Sequence, residues 1–148
     1  MTSNGIIIIV ILFVVIVAVA ISSASSREYI SDKHPVIDEI KRRFGMINPK
    51  YAKIPIHIGH KSFTEDKTVI TLCIEDPETK KQYSINVLMY VALHELAHCL
   101  TKADGKESHG DEFKANFATL LKEAAEKGVY DPSQSIPTTY CGIDSDKH

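Results

Sequence analysis

The most apolar segment that could belong to a folded domain is SINVLMYVALHELAHCLTK, residues 84–102. If it forms a helix, apolar residues cover most of the helix surface: Val87, Leu88, Val91, Ala92, Ala97 and Leu100. A helix that is apolar on nearly every side is buried in the centre of a domain. The pattern therefore predicts a central helix against which the other elements pack.

Three polar residues interrupt this apolar helix, namely His94, Glu95 and His98. Residues four apart lie on the same helix face, so the imidazoles of His94 and His98 can reach one metal ion. Without a metal ion, these would be buried polar groups without partners, each costing about 1–3 kcal/mol. Glu95 is turned about 100° around the helix axis, which suits a base that takes a proton from a metal-activated water.

The predicted third metal ligand lies beyond the helix. A catalytic zinc site needs three protein ligands and one open position. His109 fits because the ten-residue polar connection after His98 can turn the chain back, and Gly110 allows the backbone to bend. Carboxylates also bind zinc, so the alternatives are Glu107, Asp111 and Glu112. Either of the last two could instead accept a hydrogen bond from a ligand imidazole.

The motif HELAH, followed about ten residues later by HGDEF at His109–Phe113, resembles the minimal zinc metalloproteases of the WLM and SprT-like families. The likeness covers roughly residues 68–129. It implies an α+β, zincin-like fold in which a small antiparallel sheet packs with the HExxH helix and a following helix. It also implies that the three histidines bind Zn²⁺ and that Glu95 is the general base. The implied substrate is a peptide or protein.

Other periodic segments predict the elements around the central helix. Residues 32–45 and 109–128 have apolar residues at helical spacing. Residues 53–59 alternate in polarity and residues 67–76 are rich in β-branched side chains, so both are predicted strands. Because the strands are short and few, we expect a small antiparallel sheet.

An uninterrupted apolar run at the N-terminus, residues 6–21, predicts a membrane anchor over residues 1–23. A cleaved signal peptide is the alternative. A Ser-rich linker follows at residues 24–31, then a zinc metallopeptidase domain at 32–130 and a polar, loosely ordered tail at 131–148. Basic residues follow the apolar run, which places the domain of a single-pass protein on the cytoplasmic side. Cleavage would instead give a secreted form.

Composition limits the remaining possibilities. The 148 residues carry a formal net charge of −2, which gives no electrostatic reason to bind nucleic acid. The three cysteines, Cys73, Cys99 and Cys141, have no zinc-knuckle or redox spacing and are predicted to be free thiols in a reducing compartment.

These features together predict a membrane-anchored zinc metallopeptidase. The alternative is a non-catalytic, zinc-stabilised binding module at a membrane. A closed fourth ligand, such as Glu107 or Cys141, would favour that alternative, because structural zinc sites have four protein ligands. Glu95 would favour the enzyme, since a structural site needs no base beside its ligands.

Overall fold

The computed structural model describes residues 32–102 and 109–144. Within these ranges the chain forms a small α+β fold with three α-helices, a three-stranded sheet and a C-terminal hairpin. In chain order the elements are α1 (Pro35–Ile47), a 3₁₀ helix (Tyr51–Lys53), β1 (Ile56–Ile58), β2 (Phe63–Glu65), β3 (Val69–Leu72), α2 (Ile85–Leu100), α3 (Asp111–Glu126), β4 (Thr139–Tyr140) and β5 (Ile143–Asp144).

Helix α2 is the centre of the domain, as its apolar pattern predicts. The Ser84 hydroxyl begins the helix by accepting a hydrogen bond from the Val87 N–H at 3.3 Å, which satisfies one of the free donors of the first turn. The helix packs against α1, β2, β3 and α3. Its fully buried apolar residues are Leu88, Met89, Ala92, Leu93, Leu96 and Ala97. Burial of one leucine side chain contributes roughly 1.5–3 kcal/mol, so this helix anchors the fold.

The sheet is mixed, and the prediction of an antiparallel sheet is wrong. The strand order is β1-β3-β2, with β1 parallel and β2 antiparallel to β3. The chain leaves β1, passes to the far edge as β2, and returns through a three-residue turn, residues 66–68, into the middle position. Gly59 permits this path because a Cβ there would lie 2.5 Å from the Thr71 Cγ2 atom. The segment Phe63–Glu65 was not predicted as a strand.

The C-terminal segment packs on the domain, and the prediction of a loose tail over 131–148 is wrong for residues 139–142. Tyr140 is only 2% exposed. Its hydroxyl donates a hydrogen bond to the Cys73 carbonyl and lies 3.2 Å from the Ser62 hydroxyl. A disulfide joins Cys73 to Cys141, so Cys99 is the one free thiol among the three predicted. Sequence spacing did not indicate this pair because the two cysteines are 68 residues apart.

The predicted membrane anchor at 1–23 and the linker at 24–31 lie outside the described residues. Between residues 32 and 144, in the part that the structure describes, no helix is long and apolar enough to cross a membrane. The longest helices there have 16 residues, whereas about 20 are needed to span a bilayer. The described residues therefore do not support the predicted transmembrane helix or the single-pass location.

The disulfide closes a long loop, and we expect its loss to destabilise the domain. Cys141→Ser should lower the free energy of unfolding by about 2–4 kcal/mol, because the unfolded chain regains the freedom that the cross-link removes. Urea titration with and without reductant measures this. Cys99→Ser is the control, and it should lose stability on reduction as the parent does. Equal stabilities of parent and Cys141→Ser under oxidising conditions would contradict the expectation.

Candidate metal centre

The two histidines of the HELAH motif face the same side of α2. The Nε2 atoms of His94 and His98 lie 3.3 Å apart. One helical turn separates the residues, so this proximity follows from α-helix geometry alone. His94 is buried and His98 is half-buried, which places the pair at the boundary between the core and the surface.

The third histidine joins them from the start of the next helix. The Nε2 atom of His109 lies 3.3 Å from that of His94, and one ligand atom from each of the three histidines falls within 4.8 Å of the others. Gly110 follows and forms the N-cap of α3 in an extended conformation. The structure thus brings the three predicted ligands together, and this cluster could hold a metal ion.

The alternative third ligands do not join this cluster in the described part of the chain. Glu107 lies outside the described residues. The Glu112 carboxylate accepts a hydrogen bond from the Lys102 N–H at 3.1 Å, which joins the two ends of the connection between the helices. Asp111 and Glu112 both lie in the first turn of α3, where carboxylates stabilise the positive end of the helix dipole. Cys141, considered as a fourth ligand, is bonded to Cys73.

Aromatic side chains from α3 hold the imidazole rings. The Phe113 ring is 4% exposed and lies with its centroid 4.4–4.9 Å from the centroids of all three imidazoles. Phe117 adds an edge-to-face contact to His94 at 5.3 Å. Such ring pairs stabilise a defined orientation beyond simple burial. The apolar face of α3 therefore contributes side chains to the core and also lines one side of the site.

The local environment keeps one candidate ligand imidazole neutral. Burial, with a further contribution from the charges of His109 and Lys67, lowers the pKa of His98 to about 4. A neutral imidazole has a free nitrogen lone pair, which is the form that binds a metal ion. At neutral pH His98 is therefore ready to act as a ligand without losing a proton.

Glu95 follows His94 directly in the sequence, and its side chain lies in the core. It is 3% exposed, and the Thr64 hydroxyl on β2 lies 2.8 Å from its Oε2 atom. Burial raises the pKa of Glu95 to about 7, and the hydrogen bond from Thr64 opposes this rise. A carboxyl group with a pKa near neutrality can both accept and return a proton. Sequence reasoning missed Thr64 because no local pattern indicates which strand residue meets a helix.

The free cysteine near the motif lies outside the candidate cluster. Cys99 follows His98 directly, but it is not among the three residues that could hold a metal ion. Burial and the charge of Glu95 raise the pKa of its thiol to about 11. Cys99 is half-buried and packs against the hydrophobic core.

No protein-family model and no solved structure matches this chain. Uncharacterized protein 042R of Invertebrate iridescent virus 3 is 40% identical over 93 residues, which are 63% of this chain and 57% of that protein. Uncharacterized protein 136R of Invertebrate iridescent virus 6 is 38% identical over 92 residues, or 61% of this chain and 50% of that protein.

A third similar protein is Uncharacterized protein R325 of Acanthamoeba polyphaga mimivirus. It is 30% identical over 124 residues, which are 78% of this chain and 61% of that protein. The chain thus spans about half to three fifths of the length of these relatives. Their names state no activity, and the resemblance to the WLM and SprT-like families stays a prediction.

The cluster predicts a measurable metal affinity. We expect the full chain to bind one equivalent of Co²⁺, used as a probe, and His109→Ala to weaken binding by more than about 100-fold. Loss of a direct ligand should exceed the 10–100-fold cost of losing an outer partner. Competition with a chromophoric chelator measures both affinities.

The matched control for this experiment is His60→Ala. His60 is exposed and lies outside the cluster of three histidines, so its replacement should leave the Co²⁺ affinity unchanged. If His109→Ala and His60→Ala bound Co²⁺ equally well, His109 would be excluded as a ligand.

Proposed function

We propose that this protein is a zinc-dependent metallopeptidase that hydrolyses peptide bonds in a peptide or protein substrate. The main observation behind the proposal is that one ligand atom from each of His94, His98 and His109 lies within 4.8 Å of the others. A buried carboxylate, Glu95, stands next to the first of these histidines in the sequence. A metal-binding triad beside a candidate base is the minimum that metal-assisted hydrolysis needs.

The spacing of the nitrogens supports zinc as the ion. Zinc binds imidazole nitrogens at about 2.0–2.1 Å in a tetrahedral arrangement, which places two ligand nitrogens about 3.3–3.4 Å apart. The Nε2 atom of His94 lies 3.3 Å from those of both His98 and His109. Three imidazole nitrogens also suit zinc better than magnesium or calcium, which prefer oxygen ligands.

The ligand number supports catalysis over a purely structural role. A structural zinc site closes with four protein ligands, whereas a catalytic site uses three and leaves one position open. Over residues 32–102 and 109–144, the candidate cluster contains three ligand residues. A zinc ion bound there would supply Lewis acidity, which polarises a carbonyl group and acidifies a water molecule.

The protein's own contribution to the chemistry comes from Glu95 and the ligand shell. Glu95 accepts the proton of the attacking water and passes it to the leaving amine, which is general base and then general acid catalysis. Burial of His94 and Glu95 in α2, together with Phe113 against the imidazoles, limits competing water at the site. No covalent intermediate is needed, because the nucleophile is water.

The preference for a peptide or protein substrate comes from the resemblance of the HELAH and HGDEF motifs to WLM and SprT-like metalloproteases. The roles in DNA repair associated with such families are not proposed here, because the chain has a net charge of −2 and no basic stripe. An unfolded protein is therefore a suitable first test substrate.

Glu95→Gln tests the catalytic role directly. The variant keeps the size of the side chain but cannot accept a proton, so cleavage should fall by about 10²–10⁴-fold while zinc content stays at one equivalent. Cleavage of an unfolded protein by the zinc-loaded full chain, with zinc measured in the same samples, provides both values. Glu126→Gln is the matched control, because Glu126 lies exposed at the far end of α3.

The other outcomes decide between the two predicted functions. If parent and Glu95→Gln bind zinc and neither cleaves any of several substrates, the protein is a non-catalytic zinc-stabilised binding module. If the parent binds no zinc, both functions are wrong. If Glu95→Gln cleaves as fast as the parent, a different group is the base.

A further inference from the structure

Strand β2 places one side chain against the motif helix. It is an edge strand of the sheet, and Thr64 pairs with the buried Ile70 of β3. Thr64 is half-buried, while its neighbours Phe63 and Glu65 are exposed. Because side chains alternate along a strand, a shift of one residue would replace Thr64 by a large or charged neighbour.

The register of β2 is held at both ends. Asp66 and Lys67 have φ values of 48° and 56° and belong to the three-residue turn 66–68, in which the Thr68 N–H donates a hydrogen bond to the Glu65 carbonyl at 3.0 Å. The length and type of such a turn fix the register of a hairpin. The Lys67 ammonium donates a hydrogen bond to the Lys102 carbonyl at 2.7 Å, which ties this turn to the end of α2. Before the strand, the Ser62 hydroxyl accepts a hydrogen bond from the Cys73 N–H at 3.0 Å. The position of Thr64 is therefore set by contacts outside the strand.

The Thr64 hydroxyl bridges two groups of a single residue. Its oxygen lies 2.8 Å from the Oε2 atom of Glu95 and 2.9 Å from the main-chain carbonyl oxygen of the same residue. A hydroxyl has one proton to donate, so the two acceptors share it. Contact with both the backbone and the carboxylate limits the rotamers that the Glu95 side chain can adopt.

This contact leaves the other carboxylate oxygen available. In the part of the chain that the structure describes, the Thr64 hydroxyl is the group that hydrogen-bonds the Glu95 carboxylate, and it does so at Oε2. A carboxylate has two oxygens and about four acceptor sites. Oε1 can therefore accept a proton while Oε2 is held in place.

We propose that Thr64 is a positioning residue that holds the Glu95 carboxylate for proton transfer. The proposal rests on the metallopeptidase function proposed above. Thr64 acts through its hydrogen bonds to Glu95, so its loss affects the step in which the proton moves. We therefore expect kcat to fall while KM and zinc content stay the same, because small errors in the placement of a catalytic group lower the rate of its step.

Thr64→Val tests the role of the hydroxyl, since valine keeps the branched shape and removes the donor. In the zinc-loaded full chain, kcat should fall by about 10–100-fold, the usual effect of removing a partner of a catalytic group. Thr64→Ser keeps the hydroxyl and should recover most of the activity. Thr71→Val is the matched control. Thr71 is a threonine of the neighbouring strand β3, and it is half-buried between the buried residues Ile70 and Leu72.

The outcomes separate this proposal from the one on which it rests. If Thr64→Val cleaves as fast as the parent while Glu95→Gln is inactive, the positioning role is wrong and the peptidase function stands. An inactive but folded Thr64→Ser would also contradict a role for the hydroxyl. If the zinc-loaded parent cleaves nothing, both proposals fail, and the failure is visible in the parent itself. Thr64→Ala replaces the valine variant if that variant does not fold.

Discussion

Polar side chains that are buried in an apolar helix need hydrogen-bonding partners, and this need governs how the other elements pack around α2. Helix α2 carries His94 and Glu95 into the core, where a polar group without a partner costs about 1–3 kcal/mol. Each of the two receives a partner from a different element. His109, at the start of α3, is the partner of His94. Thr64, on β2, is the partner of Glu95. The fold therefore brings a helix start and an edge strand to the same stretch of α2.

The sheet topology makes the second of these contacts possible. Because β3 occupies the middle of the sheet, β2 lies at the edge opposite β1 and against α2. The C-terminal segment supports this arrangement, since Tyr140 contacts the Ser62 hydroxyl directly before β2. The disulfide between Cys73 and Cys141 fixes that segment to the end of β3. Residues far from the motif in sequence thus determine how Glu95 is held.

The proposed metal chemistry is supported by the geometry of the site, whereas the proposed peptide substrate rests on the resemblance of the motifs. The similar viral proteins have names that state no activity, and the chain spans only about half to three fifths of their lengths. The nitrogen spacing of 3.3 Å, the neutral form of His98 and the buried carboxylate support the proposal of a zinc ion with an open position. The residues on which this proposal depends all lie in the part of the chain that the structure describes.

Features that depend on residues close together along the chain could be predicted from the sequence. The central helix and the pairing of His94 with His98 follow from the 3.6-residue period, which neighbouring residues encode. His109 was also predicted, because a polar connection of ten residues followed by a helix leaves few other positions for a third ligand. Tertiary structure alone decided the parallel pairing of β1 with β3, the Cys73–Cys141 bond and the contact of Thr64 with Glu95. These contacts join residues from different elements. They depend on how the elements pack together, and this packing produces no periodic pattern or fixed spacing in the sequence.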